Sequence, residues 1–185
     1  MWRNTSVSYG WASILLHWLS LPLVLFLLAS GIYMVTLSYY DALYHTLPQW
    51  HKVAGVVLAL LTLIRVGLMP VNPHPAMLPM ARWQQIAARC AHALLYVGML
   101  VLIGTGYCIT TAEGHPIDLI GEIRIPAVTT FAAETVTWLG VVHQWTGYAL
   151  GGLICVHAGA ALQHHFILRD NTLRRMLYPW RSTQS

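Results

Sequence analysis

The chain has 185 residues, of which 57% are hydrophobic and only 9% are charged, and its mean hydropathy is +0.58. Soluble domains carry roughly 25% charged residues, so this composition excludes an ordinary water-facing surface. The net charge of +4 does not indicate nucleic acid as a partner, because the basic residues lie in short connections between apolar runs. The three cysteines lie within or beside apolar runs, and this odd number argues against a disulfide framework.

The apolar runs predict four membrane-spanning helices, since about 20 apolar residues are needed to cross a bilayer core of about 30 Å. The first run is too long for the core of a signal peptide, so we interpret it as a retained helix. We therefore predict an all-α fold, an integral membrane four-helix bundle that forms a single domain over 1–185. The four helices are expected over about 11–37, 49–68, 89–110 and 136–165.

The third connection, 111–135, is the long one, and it carries four of the six acidic residues. No apolar run in it is long enough to cross a bilayer. We predict an extramembrane cap, with room for a short interfacial helix.

The basic residues predict the orientation of the chain in the membrane. An even number of spans places both termini on one side, and eight of the ten basic residues fall at the termini or in the second connection. The positive-inside rule then places both termini in the cytoplasm and the 111–135 cap on the outer face. The eight are Arg3, Arg65, Arg82, Arg89, Arg169, Arg174, Arg175 and Arg181, against Lys52 and Arg124 outside.

Ten histidines accompany a single lysine, and ionisable residues inside a membrane tend to mark function. His143 and His157 share the fourth helix, fourteen residues apart, so they point off nearly the same face at a rise of about 21 Å. By depth, His143 is level with His51 near the outer side, and His157 is level with His17 near the inner side.

Imidazoles are axial ligands of haem iron, and a haem with two protein ligands transfers electrons without an open coordination site. We therefore predict two stacked haem b groups, with His17, His157, His51 and His143 as the iron ligands. Gly55 and Gly147, one turn beyond His51 and His143, would leave room for the rings, although close helix packing also favours glycine.

Copper or zinc is the alternative to haem iron, as in a histidine-lined metal transporter. A single metal shared by His143 and His157 is excluded by their separation of about 21 Å. His92, near the start of the third helix, is a weaker competitor of His17 for the inner haem.

His164 and His165 end the fourth helix at the cytoplasmic head-group level. The pair could contact haem propionates, bind a quinone or move protons, and simple interfacial placement explains it about as well. If a quinone binds, we expect its pocket near Arg3, His164 and His165.

These residues resemble the bacterial cytochrome b561 family, four-helix dihaem proteins related to the cytochrome b subunits of hydrogenases and formate dehydrogenases. The resemblance covers nearly the whole chain. Its motifs are L-L-H-W-L at 15–19, W-H-K-V-A-G at 50–55, V-H-Q-W-T-G-Y-A-L-G-G-L-I-C-V-H at 142–157 and the terminal run at 160–177. Carrying the family ligands over gives His17 with His157 and His51 with His143.

The family resemblance implies a multi-pass protein of the bacterial inner membrane that exchanges electrons between the quinone pool, with ubiquinone as the expected substrate, and the periplasmic face. Three roles stay open: a carrier with a periplasmic redox partner docking on 111–135, a superoxide:ubiquinone oxidoreductase, and a haem-bearing anchor subunit of a larger dehydrogenase. The outer connections carry five acids against two bases. Because superoxide is an anion, this balance favours a neutral or cationic partner.

Overall fold

A computed structural model describes residues 1–119 and 123–179. Glu122 and Arg181, counted above in the charge balance, lie outside the described residues. The elements are α1 (Trp11–Met34), α2 (Thr46–Leu68), α3 (Arg82–Thr110), β1 (Ile117–Asp118), β2 (Arg124–Ile125), α4 (Ala133–Phe166) and a 3₁₀ turn (Arg174–Met176).

All four α-helices are long and apolar enough to span a membrane, at 24, 23, 29 and 34 residues. Many of their large apolar side chains point away from the protein, as at Leu19, Leu60 and Leu63, which are all more than half exposed. Apolar surface on this scale requires a lipid environment rather than water. The predicted all-α, four-helix membrane architecture is confirmed.

The third helix begins at Arg82, seven residues before the predicted start at 89. Its first turn is capped by the Gln84 side chain, whose Oε1 accepts from the backbone N–H of Ala81 at 3.0 Å. This is one half of a capping box, in which the third helical residue reaches back to the residue before the helix. Apolarity alone misses such a polar first turn.

The other boundaries differ by up to three residues from the prediction. Helix α1 ends at Met34 instead of 37, because the Thr36 N–H and hydroxyl both bond to the Tyr33 carbonyl and turn the chain. In the loop that follows, hydrogen bonds from the Ser38 backbone and side chain hold the pKa of Asp41 below its usual value. Helices α2 and α4 begin three residues early, and α4 ends one residue late.

The connection 111–135 contains a small antiparallel hairpin rather than the interfacial helix considered above. Strands β1 and β2 pair with Ile117 opposite Ile125 and Asp118 opposite Arg124. Beyond the hairpin, the Tyr107 hydroxyl donates to the Pro126 carbonyl at 2.8 Å and accepts from the Val128 N–H. The connection is therefore tied to the end of α3.

The chain divides into two compact units, each containing part of all four helices. The first unit comprises Met1–Pro22, Leu60–Leu94 and Gly152–Ser185. In it the buried Arg175 donates to the carbonyls of Ala76 at 2.9 Å and Val7 at 2.8 Å, and its guanidinium lies over the Tyr9 ring. This one side chain joins three separate segments of the unit.

The second unit comprises Leu23–Ala59 and Leu95–Gly151. Gln49 on α2 donates to the Asp118 carbonyl at 2.6 Å, which ties the hairpin to that helix. Gly98 faces Leu150, and a Cβ at Gly98 would lie 2.9 Å from the leucine side chain. Helices α3 and α4 therefore pack closely in this unit.

Candidate functional site

The second unit brings His51 of α2 and His143 of α4 together. Their ring centroids lie 6.4 Å apart, with an angle of 63° between the ring planes. We call these two residues the outer pair. Helix α1 contributes Ser30 to the pair and α3 contributes Thr105, so all four helices surround it.

The first unit brings His17 of α1 and His157 of α4 together in almost the same arrangement. Their ring centroids are also 6.4 Å apart, with an angle of 64°. We call these two residues the inner pair. His92 of α3 lies closer still to His157, at 5.3 Å.

A centroid separation of 6.4 Å fits two imidazoles on opposite sides of one metal ion. With metal–nitrogen bonds of about 2 Å on each side, the ring centroids of such a pair lie about 6 Å apart. The 5.3 Å between His92 and His157 is about 1 Å shorter than the separation of either pair and is too short for this arrangement. Both predicted pairs therefore fit a metal with two axial imidazoles.

The donor set does not fit copper or zinc held by protein ligands alone. Structural zinc sites use four protein ligands and catalytic ones three. Within 1–119 and 123–179, no group of three or more histidine, cysteine, aspartate or glutamate side chains could hold a metal ion. A two-imidazole site instead suits an iron whose other four ligands come from a porphyrin.

The backbone beside the outer pair also fits a flat ring. A Cβ built on Gly147, one turn beyond His143, would meet nothing within 4 Å. A Cβ on Gly55, one turn beyond His51, would meet only Leu27, at 3.9 Å. Neither glycine is required by close packing against protein at that point, so both leave room for a ring beside the outer pair.

Ser30 and Thr105 were not among the predicted site residues. The Ser30 hydroxyl lies 2.8 Å from Nδ1 of His51, and the Thr105 hydroxyl lies 2.9 Å from Nδ1 of His143. The partners are 21 and 38 residues apart in the chain, so no local spacing signals the contacts. Only the rotation of the packed helices brings them together.

His164 and His165, at the end of α4, have different surroundings from each other. His164 Nδ1 bonds to Asp170 at 2.5 Å, while His165 lines a cavity of about 330 Å³ together with Phe166, Arg169, Asp170 and Arg174. Arg3, also expected near a quinone pocket, donates to the Val71 carbonyl.

Asp170 is a carboxylate at neutral pH. Burial raises its pKa, but hydrogen bonds from His164 and from the side chain and backbone of Thr172 outweigh burial and leave the pKa below its usual value. Because a carboxylate only accepts, Nδ1 of His164 donates to it. Nε2 of His164 is then the nitrogen that can exchange a proton with another group.

Comparison with known proteins decides the family. The family model described as prokaryotic cytochrome b561 matches residues 8–179. The chain belongs to the prokaryotic cytochrome b561 family. It is 39% identical over 175 residues to cytochrome b561 homolog 2 of Escherichia coli (strain K12), covering 94% of this chain and 93% of that protein.

Two further relatives are more distant. Cytochrome b561 homolog 1 of the same organism is 30% identical over 167 residues, covering 89% of this chain and 93% of that protein. A probable superoxide oxidase CybB of Yersinia pestis is 26% identical over 174 residues, covering 91% of this chain and 95% of that protein.

Membership confirms the family expected from the sequence motifs. The chain is a multi-pass membrane electron-transfer protein of the bacterial inner membrane, in contact with lipid, and a b-type cytochrome binds haem.

Proposed function

We propose that this cytochrome b561 holds two haem b groups, one between His51 and His143 and one between His17 and His157, and carries electrons between them. The observation that carries the proposal is the near identity of the pairs, both at 6.4 Å and at 63° and 64°. Two matched sites made from different helix segments are not expected from chance packing of interfacial histidines.

Each bound haem supplies an iron that accepts and releases one electron. The Ser30 and Thr105 hydroxyls hold the imidazoles of the outer pair. Among residues 1–119 and 123–179, no three metal-ligating side chains meet at either pair, and both pairs lie on apolar helices. A haem held between two protein imidazoles would have no free ligand position, so such a site would favour outer-sphere electron transfer over binding of oxygen.

Transfer across the membrane is tested with the protein in vesicles that contain trapped ferricyanide. Adding a ubiquinol analogue outside should reduce the trapped ferricyanide faster than in protein-free vesicles, where the analogue itself crosses the bilayer. Vesicles with His143→Ala protein should show little more than the protein-free rate. A wild-type rate equal to the protein-free rate, while both haems are reducible, would overturn the transmembrane role.

The cytoplasmic end of α4 is the proposed quinone site. The cavity beside His165 has cationic and apolar walls, from Arg169, Arg174 and Phe166, which suit a quinone ring that becomes negative on reduction. Asp170 both lines this cavity and accepts from His164. A histidine oriented by a carboxylate is suited to pass the protons that accompany quinone reduction.

We expect Asp170→Asn to slow haem reduction by a ubiquinol analogue by at least about tenfold, since positioned acid–base groups contribute about 10²–10⁴-fold. The haem spectrum should stay unchanged, because Asp170 lies outside both histidine pairs. Stopped-flow absorbance checks the rate, with Asp118→Asn in the exposed hairpin as the control. Equal rates of haem reduction in wild type and Asp170→Asn would show that the quinone does not bind in this cavity.

The face around the hairpin is the proposed docking surface for a periplasmic redox partner. Arg124, one of the two outer basic residues, forms an ion pair with Asp118 at 2.9 Å. Its charge is therefore largely balanced within the hairpin. The remaining acids, among them Asp41, Glu113 and Glu134, favour a cationic or neutral partner.

Superoxide oxidation is the second candidate function, because one relative is named a probable superoxide oxidase. The Asp118–Arg124 pair weakens any positive funnel that would steer this anion. Adding superoxide to anaerobic, quinone-loaded protein and following the haem absorbance separates the two functions. Haem reduction near the diffusion limit would favour superoxide as the substrate. Slow haem reduction would favour a docked protein as the redox partner.

A further inference from the structure

The outer pair is held by two buried hydroxyl groups, one on each of the helices that carry no outer ligand. Ser30 is 4% exposed and Thr105 is 8% exposed. Their oxygens lie 2.8 Å and 2.9 Å from Nδ1 of His51 and His143. Buried polar groups in apolar helices are costly unless they are bonded, so these contacts are not incidental.

The neighbouring carbonyls give each hydroxyl a second partner and bear on the direction of the bond to histidine. A hydroxyl has one proton to donate and two lone pairs to accept with. Ser30 donates its proton to the Leu27 carbonyl at 3.2 Å, and Thr105 donates to the Val101 carbonyl at 2.7 Å. With its proton on a carbonyl, each hydroxyl oxygen can accept from Nδ1 of the histidine. A ring that ligates iron through Nε2 carries its proton on Nδ1, so the proposed ligation requires this direction.

A glycine follows each hydroxyl residue and faces the same imidazole. A Cβ on Gly31 would lie 3.4 Å from Cε1 of His51, and a Cβ on Gly106 would lie 3.2 Å from Cε1 of His143. The second distance is tighter than ordinary contact, so even alanine would press on that ring. The same two-residue arrangement, hydroxyl then glycine, thus occurs on α1 and on α3.

We propose that Ser30–Gly31 and Thr105–Gly106 are positioning pairs that orient the two imidazoles of the outer pair and hold both in the tautomer that presents Nε2 to haem iron. The inference rests on the proposed haem ligation. Partners beyond the direct ligands commonly fix the tautomer and plane of a metal-binding histidine and raise its basicity. A more basic imidazole stabilises ferric over ferrous iron, so the hydroxyls lower the potential of the outer haem.

The test uses full-length, haem-loaded protein with Thr105→Val, which keeps the side-chain shape and removes the hydroxyl. We expect the ferrous-to-ferric ratio of one haem to rise about threefold at fixed ambient potential, a shift of about 30 mV where tenfold is 59 mV for one electron. The other haem should keep its potential. The ferric electron paramagnetic resonance signal of the shifted haem should also move, because it depends on the angle between the axial imidazole planes.

Four further variants make the result specific. Thr105→Ser retains the hydroxyl and should restore the wild-type potential, while Ser30→Ala should shift the same haem as Thr105→Val. Thr137→Val removes a hydroxyl of α4 that donates to the Ala133 carbonyl of its own helix, and should leave both haems unchanged. Gly106→Ala should move the resonance signal of the outer haem.

Two results overturn different claims. Unchanged potentials and signals in Thr105→Val, with one haem absent from His143→Ala, would refute the positioning role and leave the ligand assignment standing. Both haems retained in His143→Ala would refute the ligand assignment itself. The haem missing from His143→Ala also identifies which of the two signals belongs to the outer pair.

Discussion

Replacing His143 or His51 with alanine is expected to remove one haem and leave the other, so that the haem-to-protein ratio falls from two to one. Replacing His17 or His157 is expected to remove the second haem and leave the first. The reason is that each pair is complete within its own unit, with its two rings 6.4 Å apart and no ring shared. A haem that keeps only one axial imidazole loses half of its protein ligation. Absorption spectra of the purified variants measure the ratio.

Exposed histidines provide the controls for these variants. His115→Ala in the long connection and His74→Ala in the second connection should retain both haems. His92→Ala should also retain both, because the His92 ring is too close to His157 to share a metal with it. Loss of both haems from any single ligand variant that remains folded would contradict the pairing. If His92→Ala loses the inner haem and His17→Ala retains it, then His92 and not His17 is the inner ligand.

Replacing Arg175 with alanine has the largest effect expected outside the histidine pairs, a loss of at least about 2 kcal/mol of stability. The side chain is 8% exposed, and it is the donor to two backbone carbonyls from distant segments. In Arg175→Ala, the Ala76 and Val7 carbonyls lose their arginine donor, and the contact with the Tyr9 ring is lost. The midpoint temperature of unfolding in detergent should fall clearly below the wild-type value.

Arg174 is the matched control for this substitution. It precedes Arg175 in the same 3₁₀ turn, has the same charge and is exposed. Arg174→Ala should therefore change the midpoint temperature by much less. Equal midpoint temperatures for the two variants would show that the buried Arg175 stabilises the protein no more than the exposed Arg174 does.

The four helices were predictable because a bilayer imposes a strong requirement on composition. Runs of about 20 apolar residues identify the spans without any knowledge of packing. The interval between His143 and His157 was equally informative, since helix geometry alone places both on one face. The grouping of histidines by depth followed from counting residues along each span.

Helix ends and contacts between helices were less predictable. His92 was taken for a residue at the membrane edge because α3 was expected to begin at 89. The helix begins at Arg82, which places His92 about 15 Å inside it, level with His157. The capping contact from Gln84 that starts the helix early involves polar residues, and an apolarity criterion ignores them.

Ser30 and Thr105 show the same limit within the site. Both hydroxyls bond to a backbone carbonyl of their own helix, which is what hydroxyl residues ordinarily do in membrane helices. Their second contact, to a histidine on another helix, depends on how each helix is rotated. The hairpin at 117–125 was missed for a related reason, since two-residue strands leave no periodic pattern.

A pyridine haemochrome spectrum of the purified chain, combined with its protein concentration, tests the central claim most directly. The two histidine pairs predict haem b at two groups per chain, with the absorbance of a non-covalent protohaem. A ratio of one would contradict the dihaem assignment and leave one pair without an iron. A chain purified without any haem absorbance would contradict the account as a whole.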